Sequence, residues 1–276
     1  MELSVVILAK TDSAEAYGMT SDCIASLVRS EPNVAMEIII VESNKQFAVS
    51  GFTYPDSVRV IIPEQDFNFH RYLNIGIRAS TGAFIALCNN DLIFQPKWFS
   101  KIAEIAAERR EIMSFSPSET PFSGGERFKI GYKVMHDLKG WCIVARTGLF
   151  KRIGPLDERF EFYYADNDYA LTLRYHNIKH ALVYGSQVIH LERRTEKRVP
   201  EVSDDPSFVS KYHIPDYLKD PKYDWVFTRE KYLSGIITYH AKWGNPDWLY
   251  RKIRLADLLL RFHLGWLTRF FIGLRF

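Results

Sequence analysis

Two short polar clusters stand where chemistry is expected. Glu42-Ser43-Asn44 follows the apolar run EIIIV, and Asn89-Asn90-Asp91 follows AFIALC. In an open α/β sheet, ligands bind beyond the carboxyl ends of the strands. Small polar residues at two such ends suit a ribose and a diphosphate. The Asn89-x-Asp91 spacing sets two oxygen-bearing side chains on one side of a tight turn. Hard cations such as Mg²⁺ and Mn²⁺ bind through one or two carboxylates plus phosphate oxygens. An Asx turn capping the next helix accounts for the same spacing, and residues alone do not separate the two. Further on, Asp166 and Asp168 open a helical stretch, DNDYALTLRYH. Asp166 reads either as a general base, its ionised form favoured by the helix N-terminus, or as an N-cap. His190 closes ALVYGSQVIH, either as a ligand or as a structural residue. No convincing Ser-His or Cys-His arrangement is seen, so a protein nucleophile is not expected.

These residues need a scaffold. LSVVILA (3–9) is a continuous β-branched run of the kind found in buried parallel strands. Residues 37–43, 58–62 and 83–88 predict three more strands. Helices are expected near 20–30, over 70–80 before Gly82, and from Pro96 to about Arg110. That alternation predicts a doubly wound parallel sheet. Residues 118–140 read as an excursion. Beyond it a short strand, helices over 146–153 and 166–177, and a strand pair ending near His190 are expected. Residues 192–228 read as a connecting or lid segment, and 229–276 as a helical region.

The chain has 276 residues, 47% hydrophobic and 25% charged, which permits a sizeable core and excludes disorder as the main state. A net charge of +3 names no partner. Three widely spaced cysteines without a CxxC argue against a disulfide framework and for a reducing compartment. No apolar run reaches the roughly 20 residues needed to span a bilayer. A cytoplasmic protein is expected, at most resting on the inner face of a membrane.

Three segments carry a family resemblance. NNDLIFQPKWF resembles the metal motif of family-2 glycosyltransferases. FNFHRYLNIGIRASTGAFIAL is similar to the segment before that motif, with Asn74 and Gly76 as its N-x-G and Gly82 before the strand. KGWCIVARTGLFKRIGPLDERFEFYYADNDYALTLRYHNIKHALVYGSQVIHL is similar to the acceptor-side segment. Together they cover residues 3–191 in order. The resemblance implies a GT-A fold: an α/β, Rossmann-like, mostly parallel sheet flanked by helices, with a helical C-terminal appendage. It implies a catalytic domain over 1–191, with donor half 1–115 and acceptor half 116–191. The implied activity is inverting, metal-dependent transfer of a sugar from a nucleotide-sugar, UDP-linked in most members, to a hydroxyl of a saccharide or lipid-linked saccharide.

Carried over residue by residue, the resemblance implies Asp166 as catalytic base. Asp91, His190 and Asn89 are implied as ligands of Mn²⁺ or Mg²⁺. Ala9, Glu42, Asn44, Arg71, Asn74 and Asn90 are implied on the donor side, and Gly140, Trp141, Asp157 and Asp168 on the acceptor side. For Trp141 a core position fits equally; for Arg71 a solvated helix face, and for Asp157 a turn, is the preferred reading of the residue alone. Two departures matter: Asn89 stands for the first aspartate of the metal motif, and Ala165 for the glutamate before the base. A decayed, non-catalytic binding module is therefore a second reading. A nucleotidyltransferase is a weaker one, because KTDSAEAYG lacks the glycine-rich phosphate loop that such enzymes need. Transfer to modified nucleic acid, as in viral relatives, is a further alternative.

Three C-terminal features remain. Arg193-Arg194-Thr195-Glu196-Lys197-Arg198 is either a cationic lid over a diphosphate or a solvated loop. KWGN, residues 242–245, has a counterpart in some family members but no evident role. Residues 248–276 predict a basic amphipathic helix rich in Trp and Phe. Such a helix suits peripheral contact with an anionic membrane surface, packing on the catalytic domain, or a homodimer.

Overall fold

The computed structural model describes residues 2–120, 124–191, 206–268 and 270. The basic run 193–198 lies outside the described residues. The chain divides into two compact units. One holds residues 1–67, 71–156 and 178–191, and the other holds 68–70, 157–177 and 192–276. The chain passes from the first unit to the second at the expected boundary after 191, but residues 68–70 and 157–177, expected in the catalytic domain, also group with the C-terminal region.

The first unit is built on nine strands: β1 (Leu3–Ala9), β2 (Met36–Glu42), β3 (Val58–Ile61), β4 (Phe84–Cys88), β5 (Leu92–Phe94), β6 (Ile112–Ser118), β7 (Phe128–Ile130), β8 (Cys142–Arg146) and β9 (Lys179–His190). They form one sheet in the order β3-β2-β1-β4-β8-β6-β9-β5, with β7 paired to β9 off that path. The first four strands pair parallel; β1 is buried along its whole length, and β3, at the sheet edge, exposes Arg59. The rest is mixed. β8 runs antiparallel to both β4 and β6, and β9 pairs parallel with β6 but antiparallel with β5 and β7.

One strand was not anticipated and one expectation needs correction. Residues 112–118, to which the sequence assigned no element, form β6, inside the sheet. Its alternate serines are buried yet satisfied: Ser114 Oγ lies 2.8 Å from His180 Nδ1, and Ser116 Oγ accepts from the Lys139 amide at 3.0 Å. A polar face that is hydrogen-bonded internally hides a strand from hydropathy. The expected strand pair before His190 is a single twelve-residue strand, β9.

The helices of this unit are α1 (Ala14–Ser30), most of α2 (Phe69–Ala79), α3 (Trp98–Glu108) and α4 (Gly148–Ile153). Ser13 caps α1 through its side chain. α3 begins after Lys97, which adopts a left-handed conformation, and not at Pro96 as expected. In the family-like segment, an added Cβ at Gly76 would lie 2.2 Å from Val6 Cγ1, and at Gly82 2.7 Å from the Ser4 amide nitrogen. The glycines let α2 and the start of β4 lie against β1.

The second unit contains α5 (Ala165–Tyr175), α6 (Glu230–Trp243), α7 (Pro246–Arg261) and short 3₁₀ turns between 206 and 228. Phe160, Ala165, Leu171, Tyr239, Trp243 and Leu249 form one of its cores. Phe208, Leu218, Val226, Leu233 and Ile236 form another.

Gly82→Ala is expected to destabilise the protein by about 1–3 kcal/mol, because the new methyl meets β1 backbone that cannot rotate away. Thermal unfolding should show a midpoint lowered by several degrees, and an unchanged midpoint would contradict the close approach.

Candidate active site

In the first unit, the turn after β4 is pinned from three sides. The Asn89 amide donates to the Trp141 carbonyl at 2.9 Å. Asn90 is buried and its side-chain amide donates to Thr20 Oγ1 of α1 at 2.9 Å. The Leu191 amide donates to the Asp91 carbonyl at 3.0 Å, extending the ladder in which Leu92 of β5 faces His190 of β9. These restraints bury the Asp91 carboxylate. Its Oδ1 has no hydrogen-bond partner, yet it lies 3.2 Å from His190 Nε2. The Trp141 ring stacks on the His190 imidazole at 5.4 Å and 19°, which fixes the ring plane.

An orphaned buried carboxylate oxygen is costly unless something binds it. Two ligand atoms about 2.1 Å from one octahedral cation are about 3 Å apart when adjacent, close to the Asp91–His190 separation. Among the described residues no cluster of three or more His, Cys, Asp or Glu side chains is placed to hold a metal. The unpaired Asp91 oxygen and the His190 imidazole nitrogen are donor atoms of a kind that would suit a divalent cation. Asn89 is half-buried beside them.

The turn after β2 is organised by Glu42. Its carboxylate accepts from the Thr11 amide (3.0 Å), the Thr11 hydroxyl (2.6 Å) and the Asn44 amide (2.7 Å), and the residue has no exposed surface. Asn44 Nδ2 donates to the Thr11 carbonyl, and the Ala9 carbonyl accepts from both Ser43 groups. The expected direct contact of Glu42 with a nucleotide is thus corrected: burial and three hydrogen bonds make it the brace of a loop. Asn74 is corrected likewise. Its side chain donates to the Leu156 carbonyl and accepts from the Leu156 amide, both at 2.9 Å. Asn90, spent on Thr20, and Trp141, buried against His190, are not free for donor or acceptor. Gly140 sits in the turn before β8, and Arg71 is half-buried on α2.

The second unit presents Asp166. It lies in the first turn of α5, half-buried, and its carboxylate makes no hydrogen bond or ion pair among the described residues. Desolvation raises its carboxyl to about 6. That rise is worth about 3 kcal/mol, against about 0.3–1 kcal/mol returned by a helix N-terminus. The expected preference for the ionised form is corrected on that ground. Nor does Asp166 cap the helix, since Tyr164 is the capping residue and adopts a left-handed φ of 65°. A bulky residue in that conformation stores strain directly before the carboxylate.

Asp157 and Asp168 are engaged elsewhere. The Arg159 guanidinium and the Lys242 ammonium hold the Asp157 carboxyl below its usual range. Asp168 is buried, accepts from Trp243 Nε1 at 2.7 Å and lies 2.7 Å from Lys242 Nζ. Burial still pushes its carboxyl up, partly offset by Lys242. Both acceptor-side assignments are corrected to structural ones. The same geometry explains KWGN: Lys242 bridges two aspartates and Trp243 anchors to one of them. Gly244 turns the chain at φ 100°, and Asn245 caps α7. That motif was visible in the sequence, but its partners lie more than 70 residues away.

The fold and this turn define the class: the architecture is that of GT-A glycosyltransferases. A sequence model described as Glycosyl transferase family 2 matches residues 4–154, more than half of the chain, and the chain belongs to that family. A search of curated protein sequences returned no match. Among solved structures, S. aureus TarS 1–349 in complex with UDP-GlcNAc is similar at TM-score 0.54 and 12% identity, over 73% of this chain and 62% of that one. The same fragment in complex with UDP gives 0.51 and 14%, over 68% and 59%. S. aureus TarS itself gives 0.52 and 13%, over 68% and 36%. The chain thus spans from about a third to under two thirds of the length of these relatives, and at this identity the likeness is one of fold.

Trp243→Phe keeps an aromatic ring in the core but removes the N–H that the indole gives to buried Asp168 and part of the indole's volume. A stability loss of about 1–3 kcal/mol is expected in denaturant titration. No loss would mean that Lys242 alone satisfies the carboxylate.

Proposed function

We propose that this protein is an inverting glycosyltransferase that moves a sugar from a nucleotide-sugar, UDP-linked, to a hydroxyl of a saccharide or lipid-linked saccharide. The observation that carries the reading is the orphaned Asp91 Oδ1 beside His190, in a chain of glycosyl transferase family 2. The UDP and UDP-GlcNAc named for the TarS complexes support the donor class.

Asp91 and His190 would hold a Mn²⁺ or Mg²⁺ ion, with Asn89 alongside; bound there, the ion supplies neutralisation of charge on a departing diphosphate. Asp166 serves as base. The acceptor oxygen bonds to the anomeric carbon, the bond from that carbon to the diphosphate breaks, and the hydroxyl proton passes to the Asp166 carboxylate. A carboxyl near 6 is mostly ionised at neutral pH, yet more basic than an ordinary aspartate. That combination also speaks against a decayed module, since an unpaired, desolvated carboxylate lowers stability without structural return. All three cysteines are free, in keeping with a cytoplasmic setting.

Transfer should rise with pH through about 6 as Asp166 loses its proton. Asp166→Asn should lose at least about a hundredfold in turnover with donor binding retained. The raised carboxyl favours folding at low pH, and that contribution is lost as pH rises through about 6. Asp166→Asn should therefore match or exceed the parent's melting temperature at pH 7.5. Wild-type turnover in the variant would remove Asp166 as base. Separately, Mn²⁺ should strengthen stabilisation of the parent by a UDP-sugar, and Asp91→Ala should abolish that increment. A variant with the parent's Mn²⁺ response would remove Asp91 as a ligand.

A further inference from the structure

Helix α7 has two apolar faces. One packs inward through Pro246, Leu249 and Ala256, with Ile253 against the same core. The other carries Trp248, Leu255, Leu258 and Phe262, all exposed, the first and last at 63% and 67%. At 3.6 residues per turn these four fall within about 80° of arc, on the far side from the packed residues. Trp266, 57% exposed, follows in the turn after the helix. A soluble helix ordinarily has one apolar stripe, and a second exposed one marks an interaction surface.

The charges identify the occupant. Arg251, Arg254 and Arg261 are exposed on or beside this stripe and make no ion pair among the described residues. Against them stands exposed Asp247, in the first turn, while Asp257 is engaged by Arg174. By helical position Arg251 lies inside the stripe, between Leu258 and Phe262. Pairing two copies face to face would set three guanidinium groups of each copy, Arg251, Arg254 and Arg261, against the single Asp247 carboxylate at the stripe's edge, leaving most of the buried charge unpaired, which is strongly unfavourable. A layer of anionic headgroups places phosphate at that level, while the indole, phenyl and leucine side chains enter the acyl boundary. No helix among the described residues is long and apolar enough to cross a membrane, so the contact would lie in the interface plane.

We propose that the outward face of α7, with Trp266, is a docking surface for an anionic lipid bilayer. The assignment is independent of the catalytic roles given above. It predicts co-flotation of the full chain with phosphatidylcholine vesicles containing phosphatidylglycerol, weak or no co-flotation with phosphatidylcholine alone, and loss of binding as salt rises. The combined change Trp248→Ser, Leu258→Ser and Phe262→Ser should cut vesicle binding by at least about tenfold without lowering the melting temperature, because these side chains have no core to leave. If that variant fails to fold, Arg251→Glu with Arg254→Glu and Arg261→Glu keeps the apolar stripe and should give a similar loss. Failure of the parent chain to bind anionic vesicles overturns the proposal. So does equal binding to both compositions, or an apolar-stripe variant that turns a dimer into a monomer while keeping its vesicle binding.

Discussion

The first unit depends on how the Asp91 turn is held. β4 ends, the chain reverses through Asn89 and Asn90, and β5 leaves antiparallel to the end of β9. Backbone bonds from Asn89 to Trp141 and from Leu191 to Asp91 close the turn. The resulting burial desolvates a carboxylate and leaves one oxygen unpartnered. Folding energy from an extensively buried sheet sustains that cost, and a carboxylate oxygen is held 3.2 Å from the His190 imidazole. Trp141, through its stack on His190, and Asn90, through Thr20, act on the site without facing it.

The second unit applies the same logic by other means. Among the described residues Asp166 has no hydrogen-bond or ion-pair partner, and it follows Tyr164, which adopts a left-handed φ, so its position must be imposed by its surroundings. The imposition comes from α6. Lys242 ties Asp157 to Asp168, Trp243 anchors Asp168, and Tyr239 and Trp243 pack with Phe160 and Ala165. Two aspartates near Asp166 are thus paired and immobilised, while Asp166 makes no hydrogen bond or ion pair among the described residues. Within a few residues, environment alone separates paired from unpaired carboxylates.

Much of the fold was legible because the parallel strands β1, β2 and β4 are mostly buried and so read as apolar runs. β6 was not legible: Ser114, Ser116 and Ser118 look like a loop until His180 and Lys139 are known to satisfy two of them. Asp91 and His190 were legible by family motif, and their 3.2 Å separation then followed from the pairing of β5 with β9. Glu42, Asn74 and Asn90 were legible as polar residues at strand ends or in motifs, but not as braces, because their partners are distant in sequence.

By itself the sequence determined the apolar parallel strands and their helices, the glycines at close approaches, the family, and which residue types were available for chemistry. These depend on local periodicity and on side-chain size, which neighbours in the chain reveal. Only the tertiary structure decided which carboxylates are spent and which are free, that desolvation outweighs the helix terminus at Asp166, and that α7 keeps one apolar face inward and one outward. Those outcomes depend on burial and on long-range hydrogen bonding, and neither can be assigned until the chain has closed on itself.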